Sequence, residues 1–171
     1  MKNFARLAAL AVAATVTATP AFAQSAQVPA GSEPQGRARI IKPLSLEALT
    51  DMNFGDITVE DAGVATVNAL SGAVSCTGGL TCPGASSAAT WRVRGTNGQW
   101  VDILKPATVT LTHTTSPGDT LTLNVVGQDD LQLSSSGMSG TDFGLGGNIN
   151  VPASARDGLY EGSIVVTVQY Q

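Results

Sequence analysis

The sequence is poor in the residues that carry chemistry. Its 171 residues include one histidine and two cysteines, with 13% charged and 5% aromatic residues. A catalytic centre needs a nucleophile, a base or a metal in a supported arrangement. His113 sits in Thr108-Val109-Thr110-Leu111-Thr112-His113-Thr114. Period two places it with Val109 and Leu111 on the apolar side of a strand, as a packed residue at the core's edge rather than a base. No Gly-x-Ser-x-Gly elbow occurs. Two cysteines and a histidine do not fill a four-ligand zinc site, and the spacing of Cys76 and Cys82 is not that of a Cys-x-x-Cys dithiol. The acidic pairs Glu60-Asp61 and Asp129-Asp130 lack an EF-hand pattern and read as solvated turn carboxylates. Gly144-Leu145-Gly146-Gly147 has no Walker lysine and no following helix, and reads as a turn and strand entry. The reading is therefore not an enzyme, with no metal and no cofactor. Lys and Arg form no cluster, which argues against nucleic acid or an anionic membrane as partner. No segment has a helical period, and no internal repeat occurs.

What is present points to export and to β-structure. Residues 1–23 have the form of a signal peptide: Lys2 and Arg6, then an alanine-rich apolar run, then Ala21-Phe22-Ala23. The apolar run is too short to span a bilayer comfortably, and nothing later is long or apolar enough. Residues 24–36, with Pro29, Gly31, Pro34 and Gly36, read as a flexible leader. Residues 37–171 are one domain in length. Their abundance of Gly, Thr, Ser and Val fits an all-β domain.

The strands follow in order. Residues 37–46 alternate through Ala38, Ile40, Leu44 and Leu46, with Pro43 confining the strand to an edge, a bulge or an end. Residues 71–87 read as a loop holding Cys76 and Cys82. Export to an oxidising compartment predicts that these two form a disulfide. Thr96-Asn97-Gly98, between two apolar runs, predicts a hairpin that brings Trp91 and Trp100 together, in packing rather than as a sugar platform. Ser116-Pro117-Gly118-Asp119 predicts a second hairpin, and residues 148–151 a further strand. The spacing suggests an antiparallel, immunoglobulin-like β-sandwich.

Residues 157–171 carry the strongest pattern. Gly158, Tyr160, Gly162, Ile164, Val166, Val168 and Tyr170 share one parity and are all apolar, aromatic or glycine. The other parity is mostly polar, with Leu159 and Val165 as exceptions. This predicts one long strand with a dry face, the chain ending while still in it.

These features stand in one order: the signal peptide, Ala38-Arg39-Ile40-Ile41-Lys42-Pro43-Leu44, Met52-Asn53-Phe54-Gly55-Asp56-Ile57, and Gly158-Leu159-Tyr160-Glu161-Gly162 leading into Val166-Thr167-Val168-Gln169-Tyr170. In them the chain resembles the bacterial secreted domain-of-unknown-function 4402 family, described as similar to the major subunit of Mat/Ecp-type fimbriae. Gly158 and Tyr170 also resemble the C-terminal zipper of pilus subunits secreted by the chaperone–usher route. The resemblance implies a pilin-like sandwich and a fimbria-like role, without catalysis. The expected protein is an exported structural subunit that passes through the periplasm to the cell surface, with a part in adhesion. It would assemble with copies of itself or related subunits by β-strand addition, with a periplasmic chaperone and usher as further partners. Ala38, Ile40, Leu44 and Leu46 are the candidate donor, and the even face of residues 158–170 the candidate acceptor. The alternative is a self-contained secreted sandwich that binds carbohydrate or protein, with residues 37–46 as its own first strand.

Overall fold

The computed structural model describes residues 31–135 and 139–171. The signal peptide and the first part of the leader lie outside the described residues. Residues 31–38 belong to a separate N-terminal unit and are exposed, without strand structure. Within that unit the Gly31 N–H donates to Glu33 Oε2 at 2.7 Å.

Residues 39–171 form an all-β, antiparallel, sandwich-like domain. Its strands are β1 (Ser45–Thr50), β2 (Thr58–Val67), β3 (Val74–Thr81), β4 (Ala89–Arg94), β5 (Trp100–Leu104), β6 (Thr108–His113), β7 (Thr120–Gly127), β8 (Asp130–Gln132), β9 (Thr141–Val151), β10 (Tyr160–Glu161) and β11 (Thr167–Tyr170). The larger sheet runs β1-β4-β9-β7-β6-β10, with β2 joined to β9 and β3 joined to β2; the smaller runs β11-β5-β8. Val101 and Ile103 of the smaller sheet are buried in one cluster with Val93, Leu123, Val125 and Leu145 of the larger. Burying alternate side chains from two sheets against each other is the main favourable term of such a fold.

β9 is the centre of the larger sheet. Along one edge it pairs with β4 from Thr141 to Leu145 and then with β2 from Gly147 to Val151; along the other it pairs with β7. At the change of partner the backbone of residues 67–69 lies against it. A Cβ at Gly144 would collide with the Ala69 carbonyl, and one at Gly146 with the Val67 carbonyl. The glycine run is therefore the middle of a strand, not the turn expected from its composition. Glycine in a strand marks close backbone approach as well as turning.

The hairpin at Ser116-Pro117-Gly118-Asp119 forms as expected. The Asp119 N–H donates to the Ser116 carbonyl at 2.9 Å, and Leu111 faces Leu121 across the ladder. The turn at residues 96–99 behaves differently. Gly98 takes φ +75°, but β4 pairs with β1 and β9 while β5 pairs with β8 and β11. That turn carries the chain between sheets, because both edges of β4 are already occupied. The expected meeting of Trp91 and Trp100 is corrected with it. Trp91 is buried and stacks on its cross-strand neighbour Phe143, with centroids 5.6 Å apart and planes at 15°. Trp100 is 46% exposed. On the outer side of the same strands, Arg92 donates two 2.7 Å hydrogen bonds to Asp142. They hold that carboxyl below its ordinary range, on a surface where such pairs add little stability.

Residues 71–87 are not one loop: β3 occupies their centre and pairs with β2. Cys76 lies in β3, and its disulfide to Cys82 spans 6.1 Å between Cα atoms. Glu60 and Asp61 lie within β2 where its register with β3 shifts, rather than in a turn.

Two outcomes follow for stability. Phe143→Ala removes half of the aromatic stack and should cost about 3–5 kcal/mol, read as a lower urea midpoint. Cys76→Ser with Cys82→Ser should cost about 2 kcal/mol, since the closed loop is small. Intact mass with and without reductant and alkylation checks the bond itself, and two thiols freely alkylated without reductant would contradict it.

Candidate functional site: the C-terminal edge

Residues 157–171 do not form a single strand. Tyr160 and Glu161 pair with His113 and Thr112 of β6, at the end of the larger sheet. Residues 162–166 belong to no strand pair. Residues 167–170 then pair with β5, at the end of the smaller sheet. The stretch changes sheets, and the ladder is interrupted where it crosses. The parity seen in the sequence survives the interruption. Tyr160, Ile164, Val166, Val168 and Tyr170 are half-buried and packed against the core, while Leu159 is 59% and Val165 72% exposed. The inner face is thus half-buried rather than dry. Gly158 and Gly162 are exposed.

His113 fixes the start of this stretch. It is 3% exposed. Its Nδ1 accepts the N–H groups of Thr115 at 3.2 Å and Ser116 at 3.1 Å. The ring proton therefore sits on Nε2, which donates to the Asp157 carbonyl at 2.9 Å. Gly158 lies against the ring at φ +139°, where a Cβ would collide with Nε2, and the Tyr160 ring meets the imidazole edge-on at 5.0 Å. Both ring nitrogens are engaged in holding backbone.

Tyr170 fixes the end. Its hydroxyl donates to the Lys42 carbonyl at 2.7 Å and accepts the Thr96 N–H at 2.8 Å. Thr96 Oγ1 in turn accepts the Lys42 N–H at 2.7 Å. The hydroxyl fits because residue 95 is glycine: a Cβ there would lie 2.5 Å from it and 2.8 Å from Leu44. Beyond Tyr170, the Gln171 amide donates to Asp102 at 2.7 Å.

Between these two fixed points lies an open cleft of about 540 Å³, lined by Leu104, Lys105, Pro106, residues 108–110, Ser163 and Val165. The Lys105 ammonium is paired with Asp129. Among the described residues no group of His, Cys, Asp and Glu could hold a metal.

The N-terminal candidates separate into two sets. Leu46 lies in β1 opposite Val93, and Leu44 is half-buried against the core. Ala38 and Ile40 lie outside any strand, and Ile40 is 93% exposed. The strand expected over residues 37–46 therefore begins at Ser45, because the Lys42–Tyr170–Thr96 bonds engage the backbone just before it.

The match to a family model covers residues 44–170, and the family is described as a domain of unknown function, DUF4402. The chain belongs to the DUF4402 family. The match begins at Leu44 and ends at Tyr170, which both close on Gly95. Ala38 and Ile40 precede the part of the chain that defines the family. Searches of curated proteins and of solved structures each found no match.

Tyr170→Phe would leave the Thr96 N–H and the Lys42 carbonyl without this partner. A loss of about 1–3 kcal/mol is expected for such part-buried groups, measured as a urea-midpoint shift beside the parent protein. An unchanged midpoint would show that water replaces the hydroxyl without cost.

Proposed function

We propose that this DUF4402 protein is a structural subunit of a bacterial surface fibre, joined to its neighbours by β-strand addition. The observation that carries the reading is the C-terminal edge. β10 and β11 each end a sheet, and residues 162–166 between them join no strand among the described residues. An edge with unused backbone donors and acceptors is a template for another extended segment. The resemblance to fimbrial subunits agrees with this. The signal-peptide pattern and the disulfide fit passage through an oxidising periplasm, where a chaperone would cover the edge until assembly. Only Ala38 and Ile40 remain as donor side chains, since Leu44 and Leu46 serve their own subunit. A head-to-tail contact of this type extends into an open filament.

A self-contained binding sandwich is the second reading. The pairing of β1 with β4 favours it, because the chain supplies its own first strand.

Ala38→Asp with Ile40→Asp separates the two. Surface substitutions of this kind change stability by no more than about 0.5 kcal/mol, so the monomer should melt as before. Polymer ladders on non-boiled gels of surface extracts should disappear. Ladders unchanged by the double substitution would remove these residues as donors, and a parent protein that stays monomeric on the cell would favour the self-contained module.

A further inference from the structure

Charge is divided unevenly along the chain. From Leu44 onward there are twelve Asp and Glu against four Lys and Arg, while residues 37–42 hold Arg37, Arg39 and Lys42 and no acid. The same six residues present Ile40, 93% exposed, and Ile41, 45% exposed. Opposite charge on two surfaces steers encounter and sets register.

The sheet edges differ in what they offer such an arm. β3 is interrupted by the register shift with β2 and carries the disulfide. β8 is three residues long. β1 presents Glu47, whose carboxylate is held by Arg94. The C-terminal edge is different. Its outward side chains are Asp157, Leu159, Glu161, Ser163 and Val165, all exposed, with acid and apolar residues in the same row.

We infer that residues 37–41 of a second copy add in parallel along residues 161–165, with Arg37 beside Glu161 and Ile41 beside Val165. In this register the core-facing side matches as well: Ala38 falls beside Gly162, and Ile40 beside Ile164. Antiparallel addition over the same residues sets Arg37 against Val165 and Ile41 against Glu161. The occupant is a second copy because the chain's own arm does not reach. Its Lys42 is held at Tyr170, five residues beyond Val165, whereas Ile41 is the residue next to Lys42. One residue of chain covers at most about 3.6 Å. The inference rests on the fibre reading and specifies its contact.

Single-cysteine exchanges at exposed positions test it. Ile41→Cys and Val165→Cys proteins, mixed in equal amounts and mildly oxidised, should form a disulfide-linked heterodimer. Arg37→Cys with Val165→Cys, four positions out of register, should form at least tenfold less. Glu161→Arg should abolish association, and Arg37→Glu with Glu161→Arg in the same chain should restore it. Polymer ladders without the Ile41–Val165 link and without charge rescue would overturn this contact and leave the fibre reading standing. The link and the rescue in a protein that makes no ladders would support the contact and overturn the fibre reading. Absence of ladders, link and rescue together would overturn both.

Discussion

The Tyr170 hydroxyl is the constraint on which both ends of the domain depend. It joins the Lys42 carbonyl and the Thr96 N–H, so the entry to β1, the turn between β4 and β5, and the end of β11 meet at one atom. Hydrogen bonds that engage two separated backbone segments are costly to leave unmade in a part-buried site. Because residue 95 has no side chain, Leu44, Leu133 and the Tyr170 hydroxyl close over it. This closure places Leu44 against the core and sets β1 in register with β4. It also decides which N-terminal residues are available to another molecule. Those after Pro43 are committed to the fold.

The open C-terminal edge follows from the way the sandwich closes. β5 and β6 are consecutive, but they lie in different sheets. A final stretch that pairs with β6 first and β5 afterwards must leave one sheet before it joins the other. Residues 162–166 make that crossing without a ladder. His113 holds the backbone before the crossing and Tyr170 holds it afterwards, so the gap is bounded by fixed structure on both sides. The histidine's part is structural, since both of its ring nitrogens are used to hold backbone.

The alternation of residues 158–170, the hairpin at Ser116 to Asp119, the pairing of the two cysteines and the all-β class were legible in the sequence. Each depends on local periodicity, turn chemistry or the count of a rare residue. The cation-rich character of residues 37–42 was equally visible but is easily missed, because its three charges are spread among alanine and isoleucine. It gains meaning only beside the acidity of the rest of the chain.

Strand partners were decided by the tertiary structure. An Asn-Gly turn reverses the chain, but it does not say whether the strands it joins will pair. β1 and β9 take both edges of β4, and that sends β5 to the other sheet. Composition marks Gly144 and Gly146 as flexible, and only the crossing backbone of residues 67–69 makes them the middle of β9. The division of residues 38–46 into an exposed arm and a committed strand depends on Tyr170, more than a hundred residues away in sequence. Periodicity sets which face of a strand is apolar. Which strand lies beside it depends on long-range closure, where side chains far apart in the chain compete for the same edge.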